Sequence, residues 1–255
     1  MGNYLIYGDV NSADYGVVIS GSGTFNKPAK RVQTFSVPGR NGDLTITEDA
    51  FDNVEVTYPA FIARGFEHKF NEFMDAMCAQ DGYQKLTDTY DPSHYRMGLF
   101  SCDVEPEAGT LNRSGKFTLT FNCQPQRWIK ESQDFKQIWV SGQGNNGRFY
   151  NPTKYIAKPI IRVYGYGKFM FSSCEIEVAS NTDDCVDIDC ELGLCRSYPH
   201  RYNENNHVSI GTSYYYGRTY RFPIISPGQN SYSMNNWPSN FHITRVDLKE
   251  RYWTI

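Results

Sequence analysis

The sequence predicts a mainly β protein built from two β-sandwich domains, the first of which carries one α-helix. Three observations favour this fold class. Aromatic residues make up 15% of the 255 positions, with 19 Tyr and 16 Phe, and such residues are enriched in strands. Short segments of alternating polarity, separated by turn residues, recur along the chain. Only one stretch, in the first half, spaces its apolar residues at helical intervals.

The first half begins with strand, turn and strand in YLIYGDVNSADYGVVISGSGTF, where Asn11 and Asp14 are turn-forming residues. Two alternating segments follow, RVQTFSV and DLTITEDAFDNVEVTYPAFI. A helix is expected over 64–80, because its apolar residues share one face: Phe66, Phe70, Phe73, Met74, Met77 and Cys78. After the helix, KFTLTFNC alternates as a half-buried strand with four residues on its inner face: Phe117, Leu119, Phe121 and Cys123.

A polar stretch at 130–157, with SGQGNNG at its centre, separates the two halves. We place the boundary there and expect domains at 1–130 and 131–255. Beyond it, short strand-like segments alternate with turns and no helical pattern appears, which is typical of a β-sandwich.

Composition excludes several classes of function. The net charge of -3 provides no basic surface for nucleic acid, and no apolar run reaches the length of a membrane span. The start of the chain lacks a cationic segment followed by an apolar one, so we expect no signal peptide. Seven cysteines at irregular spacing argue against a disulfide framework and favour free thiols in a reducing cytosol.

The segment SVPGRNGDLTI, residues 36–46, could be a phosphate-binding loop or a hairpin. Gly39 and Gly42 are too close together for a P-loop, no lysine follows, and the next residues are strand-like. Asn41-Gly42 between two alternating runs instead predicts a tight hairpin turn with Arg40 exposed at its tip.

A cluster of cysteines and histidines raises the possibility of zinc, with Cys185, Cys190, Cys195 and His200 as weak candidates. Closely spaced cysteine pairs are missing. Cys185 and Cys190 would also point to opposite faces of a straight strand. The alternative is that these thiols are simply buried or idle.

Two further groups have a catalytic or binding interpretation beside a structural one. Carboxylates near Asp187 and Asp189 could form a glycosidase pair or a calcium site, or only a solvated strand face. An aromatic group could stack on sugars or form a subunit contact: Tyr214, Tyr215, Tyr216 and Trp237. No nucleophile–base motif is found, so we expect no enzyme activity and no cofactor.

An ordered series of fragments resembles the distal tail protein (Dit) family of long-tailed, non-contractile phages. It runs through YGDVNSADYGVVISG, VPGRNGDL, the helix, GYQKLTDTYDPSHYRMG, GKFTLTFNCQPQRW, NPTKYIAKPIIRVYGYG, VDIDCEL, FPIISPGQNSYSM and ITRVDLKERYW. Each fragment alone is weak, but their order and spacing span nearly the whole chain.

The resemblance implies a ring-forming N-terminal domain with an arm or loop that helps to close the ring, and a galectin-like second sandwich. Six copies would form a hub at the virion tail tip, assembled in the bacterial cytoplasm. The implied partners are the tail tube protein, the tail-tip or lysin protein and the receptor-binding or baseplate proteins. A closed ring requires two different patches per subunit, and the N-terminal strands with Arg40 and Asn41 are the candidates. The alternative function is a carbohydrate-binding module for cell-wall glycans.

Overall fold

The computed structural model describes residues 2–178, 185–198, 208–211, 213–215, 218–234 and 242–255. The chain forms two compact units, residues 1–127 together with Ile255, and residues 128–254. These units divide between Arg127 and Trp128. The domains expected at 1–130 and 131–255 stay a prediction. The roles assigned to the two domains stay a prediction. In the part of the chain just given, no helix is both long and apolar enough to cross a bilayer.

The first unit contains one α-helix, α1 at Phe66–Cys78, among short antiparallel strands. The strands are β1 Leu5–Tyr7, β2 Val10–Asn11, β3 Val17–Ile19, β4 Lys30–Phe35, β5 Leu44–Phe51, β6 Val54–Ile62, β7 Gln84–Asp88, β8 His94–Phe100, β9 Glu107–Ala108 and β10 Gly115–Cys123. The next strand, β11 Arg127–Ile129, begins at the last residue of residues 1–127 and continues into the second unit. Three 3-10 helices occupy Ser12–Tyr15, Thr110–Asn112 and Lys130–Gln133, the last of them in the second unit.

A curled antiparallel sheet, in the order β2-β1-β7-β8-β10-β6-β3, surrounds the core of the first unit. The strand expected after the helix is confirmed as β10. It pairs with β6 over nine residues, from Gly115↔Ile62 to Cys123↔Val54, and both strands bury every second side chain. This alternation follows from the two-residue period of a strand.

The predicted helix is confirmed, although it is two residues shorter at each end. It begins after Gly65, whose φ of 70° lies in the left-handed region that glycine tolerates. Phe66, Phe73 and Met77 are buried, and Phe70 meets the ring of Phe117 on β10 edge-on, with centroids 5.0 Å apart. The apolar stripe therefore holds the helix against the sheet.

The second unit contains only strands and one of the 3-10 helices in its described part. The strands are β12 Lys136–Val140, β13 Asn146–Asn151, β14 Ile160–Tyr164, β15 Gly167–Phe171, β16 Cys174–Val178, β17 Cys185–Asp189, β18 Leu194–Tyr198, β19 Val208–Ile210, β20 Ser213–Tyr215, β21 Arg218–Tyr220, β22 Gly228–Ser233, β23 Arg245–Lys249 and β24 Trp253–Thr254.

Two five-stranded sheets form the second unit, in the orders β12-β23-β14-β17-β18 and β13-β22-β15-β16-β19. Ile161 and Leu248 from the first sheet share one buried core with Phe169 and Ile176 from the second. Sheets that bury facing side chains in this way form a sandwich. The predicted mainly β, sandwich-type fold with one α-helix is confirmed.

Candidate assembly surface

The β4 and β5 strands form a two-stranded sheet of their own, separate from the curled sheet of the first unit. Their register places Val32 opposite Thr47 and Phe35 opposite Leu44. The predicted hairpin is therefore present. The predicted tight two-residue turn at Asn41-Gly42 is wrong, because eight residues, 36–43, connect the strands.

The tip of the hairpin is wide because it contains more than one reversal of the chain. The backbone N–H of Arg40 donates to the carbonyl of Val37 at 3.1 Å, which closes a first turn across Pro38. Gly39 and Gly42 both have positive φ, at 82° and 79°, so the chain bends again before β5 begins. Arg40 and Asn41 are exposed at this tip, as expected.

One face of the hairpin is apolar near the tip and polar near the root. Phe35, Leu44 and Ile46 share this face by register, and their exposed fractions are 46%, 40% and 50%. Closer to the root, Gln33 donates to the Glu48 carboxylate on the same face at 2.6 Å. Contiguous exposed apolar side chains are a feature of surfaces that bind other molecules.

Residues 20–29, which precede β4, contact the curled sheet through polar side chains. The Thr24 hydroxyl donates to Asp88 at 2.9 Å, and Tyr58 donates to the same carboxylate at 2.6 Å. Arg96, only 5% exposed, donates to the carbonyl of Asn26 at 2.7 Å. Burial lowers the pKa of Arg96; its hydrogen bonds satisfy the buried donors.

A second polar cluster, next to the segment that precedes β4, centres on Asp91. This carboxylate pairs with Arg127 and with His94, the latter at 2.9 Å, and the Arg127 guanidinium lies over the ring of Phe25, 5.4 Å from its centroid. Burial would raise the pKa of Asp91, but its hydrogen bonds with His94, Ser93 and Arg127 outweigh this effect and hold the pKa below its usual value. The segment before the hairpin is therefore held to the curled sheet, whereas the hairpin itself is exposed to solvent.

A groove of about 540 Å³ lies on the outer face of the curled sheet. Val18 and Phe61 are cross-strand partners at its floor and are 43% and 39% exposed. Three charged side chains line it as well: Glu105, Glu107 and Lys116. The first unit therefore presents two distinct surfaces with exposed apolar side chains, the hairpin face and this groove.

The aromatic candidates of the second unit fall largely outside the described residues. Tyr214 and Tyr215 lie in β20, which pairs with β21, and their side chains are not described. Tyr216 and Trp237 lie outside the described residues. Their interpretations as a sugar platform and as a subunit contact both stay predictions.

The zinc candidates are separated by the strand geometry. Val186, Ile188 and Cys190 belong to the core of the second unit, so Cys185 points to the opposite face of β17. Burial raises the pKa of Cys195 to about 11 and also raises that of Cys190, whereas zinc binds the thiolate. His200 lies outside the described residues, and within those residues no group of three His, Cys, Asp or Glu could hold a metal ion.

The carboxylates considered as catalytic are neutralised by arginine. Arg162 donates to both oxygens of Asp187, at 2.6 and 2.7 Å, and its guanidinium lies over the ring of Phe135, 4.1 Å from its centroid. Asp189 accepts from Arg251 at 3.2 Å and caps the backbone of the following turn. A retaining or inverting glycosidase needs two carboxyl groups free to act across a cleft, and these two are already paired.

The exposed apolar trio Phe35, Leu44 and Ile46 was not singled out from the sequence. The alternation of RVQTFSV placed Phe35 and Val37 on one face. Alternation, however, is the usual sign of a strand with one buried face. Nothing local shows that this apolar face is left uncovered by its own chain.

The fold is that of a two-unit, mainly β protein with one α-helix and a separate, exposed β-hairpin. It is similar to the crystal structure of the Dit protein (gp 19.1) of phage SPP1, with a TM-score of 0.64 and 11% identity over 100% of both chains. That protein is described as a paradigm of the hub adsorption apparatus in phages that infect Gram-positive hosts. The resemblance to distal tail proteins is therefore confirmed at the level of the fold.

Two structures of the phage P2 baseplate in its activated conformation, with Ca and with Sr, align over 97% and 96% of this chain and of theirs. Both have a TM-score of 0.49, with 9% and 8% identity. No protein-family model matches the chain, and no curated protein matches it.

Proposed function

We propose that this chain is a structural, non-enzymatic hub of a non-contractile phage tail tip, in which six copies form a ring. The fold supports this proposal, since it is shared over the full length of a protein described as part of a hub adsorption apparatus. A shared fold does not by itself define a function; the second support is the exposed surface of the β4–β5 hairpin.

The observation that carries the proposal is the β4–β5 hairpin. A two-stranded hairpin is marginally stable in water unless something packs on it. This hairpin has its own separate sheet, and three of its apolar side chains are 40–50% exposed on one face. The segment before it, in contrast, contacts Arg96 and Asp88 of the curled sheet through Asn26 and Thr24. A hairpin that follows such a segment and keeps an uncovered apolar face is suited to packing on another subunit.

A ring also requires a second patch, different from the first, on each subunit. The groove floored by Val18 and Phe61 is our candidate for it. The apolar face of one copy's hairpin would cover the apolar floor of the next copy's groove, and Arg40 at the tip would lie near that seam. The ring would join the tail tube protein on one side to the tail-tip or lysin protein on the other, with receptor-binding or baseplate proteins around it.

Native mass spectrometry and negative-stain electron microscopy of the purified chain test the ring directly. We expect a six-membered species whose population grows with protein concentration. Some hubs assemble only on their neighbours, so the same measurement belongs on tail particles of the phage that encodes this chain. A strict monomer in solution together with tail particles that lack a ring of this protein would overturn the proposal.

A further inference from the structure

The sequence contains two Asn-Gly steps, and the structure places them in opposite environments. Asn41-Gly42 lies in the loop 36–43 at the hairpin tip, outside the pairing of β4 with β5. Asn146-Gly147 lies within β13, which pairs with β22. An asparagine followed by glycine is especially prone to deamidation, because glycine has no side chain to crowd the backbone nitrogen that attacks the asparagine amide.

The Asn41-Gly42 step is exposed and unrestrained. Both residues are exposed to solvent, and within the described part of the chain neither the Asn41 side chain nor the Gly42 backbone N–H has a hydrogen-bond partner. A Cβ at Gly42 would meet nothing within 4 Å, so the space around this residue is open. The Asn41 amide and the Gly42 nitrogen can therefore rotate toward each other without breaking a contact.

The Asn146-Gly147 step is held by the sheet. The backbone N–H of Met234 donates to the carbonyl of Asn145 at 2.6 Å. Hydrogen-bonded pairs recur at every second residue of an antiparallel ladder, so the next such pair is Gly147 with Tyr232, and the Gly147 N–H donates to the Tyr232 carbonyl. The Tyr232 ring also covers Gly147, since a Cβ at this glycine would clash with it. The attacking nitrogen at this second step is therefore both hydrogen-bonded and covered.

We propose that Asn41 is a deamidation site of the folded protein and that Asn146, with the same local sequence, is protected by its strand. The site is a covalent modification of the hairpin tip that requires only water. This inference concerns the chemistry of one loop and does not depend on the ring.

The reaction proceeds in two balanced steps. The backbone nitrogen of Gly42 loses its proton and attacks the side-chain amide carbon of Asn41. The bond from that carbon to the amide nitrogen breaks, and the nitrogen leaves as ammonia with the proton, which gives a five-membered succinimide. Water then adds to one of the two succinimide carbonyls and opens the ring. One opening gives aspartate, and the other gives isoaspartate, in which the backbone passes through the side-chain carbon.

The modification changes the charge of the hairpin tip. Arg40 and Asp43 are the charged residues of the loop 36–43, and their charges cancel. Either product adds one negative charge directly after Arg40. If the tip lies near the seam between subunits, aged protein should form fewer rings, as expected for Arg40→Glu. That consequence rests on the proposed function, whereas the modification itself does not.

The test incubates the native, full-length protein in mildly alkaline buffer and maps its peptides by mass spectrometry at successive times. The peptide that contains Asn41 should convert into two products, each of which has gained the mass of an oxygen in place of an NH group. An isoaspartate-specific methyltransferase should label one of them. We expect this conversion to be at least about tenfold faster than that of Asn146, because β13 must open before its Asn-Gly step can react.

The same incubation in urea is the matched control, because it removes the strand and keeps the sequence. The two Asn-Gly steps should then react at similar rates. Asn41→Gln should abolish the products at the tip, since closure of the larger ring is much slower. Equal rates at Asn41 and Asn146 in the folded protein would overturn the inference. So would an Asn41 that reacts in urea and stays intact in the folded protein, which would show that the loop holds the two groups apart.

Discussion

Phe35 and Leu44 lie directly opposite each other across the β4–β5 hairpin, and both side chains stay more than a third exposed. Cross-strand apolar pairs stabilise a hairpin most when a second layer covers them. Here Ile46 extends the same uncovered face. The two strands therefore pair with each other, but the apolar side chains on this face stay exposed.

Ile46→Thr is predicted to shift the assembly from rings to monomers, because it removes apolar area from this face while keeping a β-branched residue in the strand. Val32→Thr is the matched control, since Val32 is 43% exposed on the other face of the same hairpin. Native mass spectrometry at several protein concentrations compares the two. If both variants form fewer rings to the same extent, ring formation depends on the stability of the hairpin and not on the face that carries Ile46.

Arg40→Glu is predicted to weaken ring or tail assembly while leaving the chain folded. Arg40 is exposed at the hairpin tip, so reversing its charge should act on a neighbour rather than on the core. Lys154→Glu reverses an exposed charge in the second unit and provides the control. Ring formation by electron microscopy and the thermal unfolding curve are measured together. Normal rings with Arg40→Glu would mean that the tip is only a connection.

The stability of the first unit is predicted to decline in acid through Asp91. Its folded pKa lies below the usual value, so the carboxylate stabilises the fold above the unfolded pKa of about 4 and loses that effect as pH falls through the folded pKa. Asp91 acts beside His94, Arg127, Arg96 and Lys27.

Urea unfolding at several pH values, followed for the first unit, checks this dependence. Asp91→Asn should lower stability at neutral pH and flatten the decline in acid. Asp9→Asn, at an exposed position, is the control. An unchanged acid profile in Asp91→Asn would show that other carboxylates control the transition.

Asp187→Asn is predicted to destabilise the second unit by about 1–3 kcal/mol, because it removes the charge of the carboxylate that accepts two hydrogen bonds from Arg162 in a partly buried position. The hydrogen bonds to Asp187 are also what chiefly raise the pKa of Arg162. Denaturant unfolding measures the loss. Glu177→Gln breaks a more exposed pair with Lys168 and should have little effect.

The double variant Arg162→Met/Asp187→Leu shows whether charge or packing causes the loss of stability in Asp187→Asn. If the cost of Asp187→Asn comes from an unpaired charge, removing both charges should recover part of it. No recovery would indicate that packing of the arginine over Phe135 matters more than charge.

Gly165→Ala is predicted to be much more damaging than Gly142→Ala. Both glycines have positive φ, 96° and 93°, but a Cβ at Gly165 would lie 2.1 Å from the carbonyl oxygen of His242, whereas a Cβ at Gly142 meets nothing within 4 Å. We expect about 1–2 kcal/mol of backbone strain in each variant and a further 1–3 kcal/mol from the clash in Gly165→Ala. Equal losses in chemical unfolding would mean that the turn at Gly165 relaxes.

The sequence by itself determined the elements whose signals are local. The apolar stripe from Phe66 to Met77 predicted α1, and the alternation from Phe117 to Cys123 predicted β10. Both periods are visible in the order of apolar and polar residues close together in the sequence. The hairpin around Arg40 was predicted for the same reason. The objection to a zinc site that uses both Cys185 and Cys190 also followed from strand geometry alone.

The tertiary structure decided which of these surfaces are covered and which distant residues meet. Alternation in β4 and β5 looks the same whether Phe35 and Ile46 face a core or solvent, because exposure depends on what the rest of the chain places against them. The pairing of Asp91 with Arg127 has no signal in spacing, since the two residues lie on segments that are far apart in the sequence. The width of the hairpin tip was likewise decided by the strand register, which ends the pairing at Phe35 and Leu44 and leaves the glycines in a longer loop.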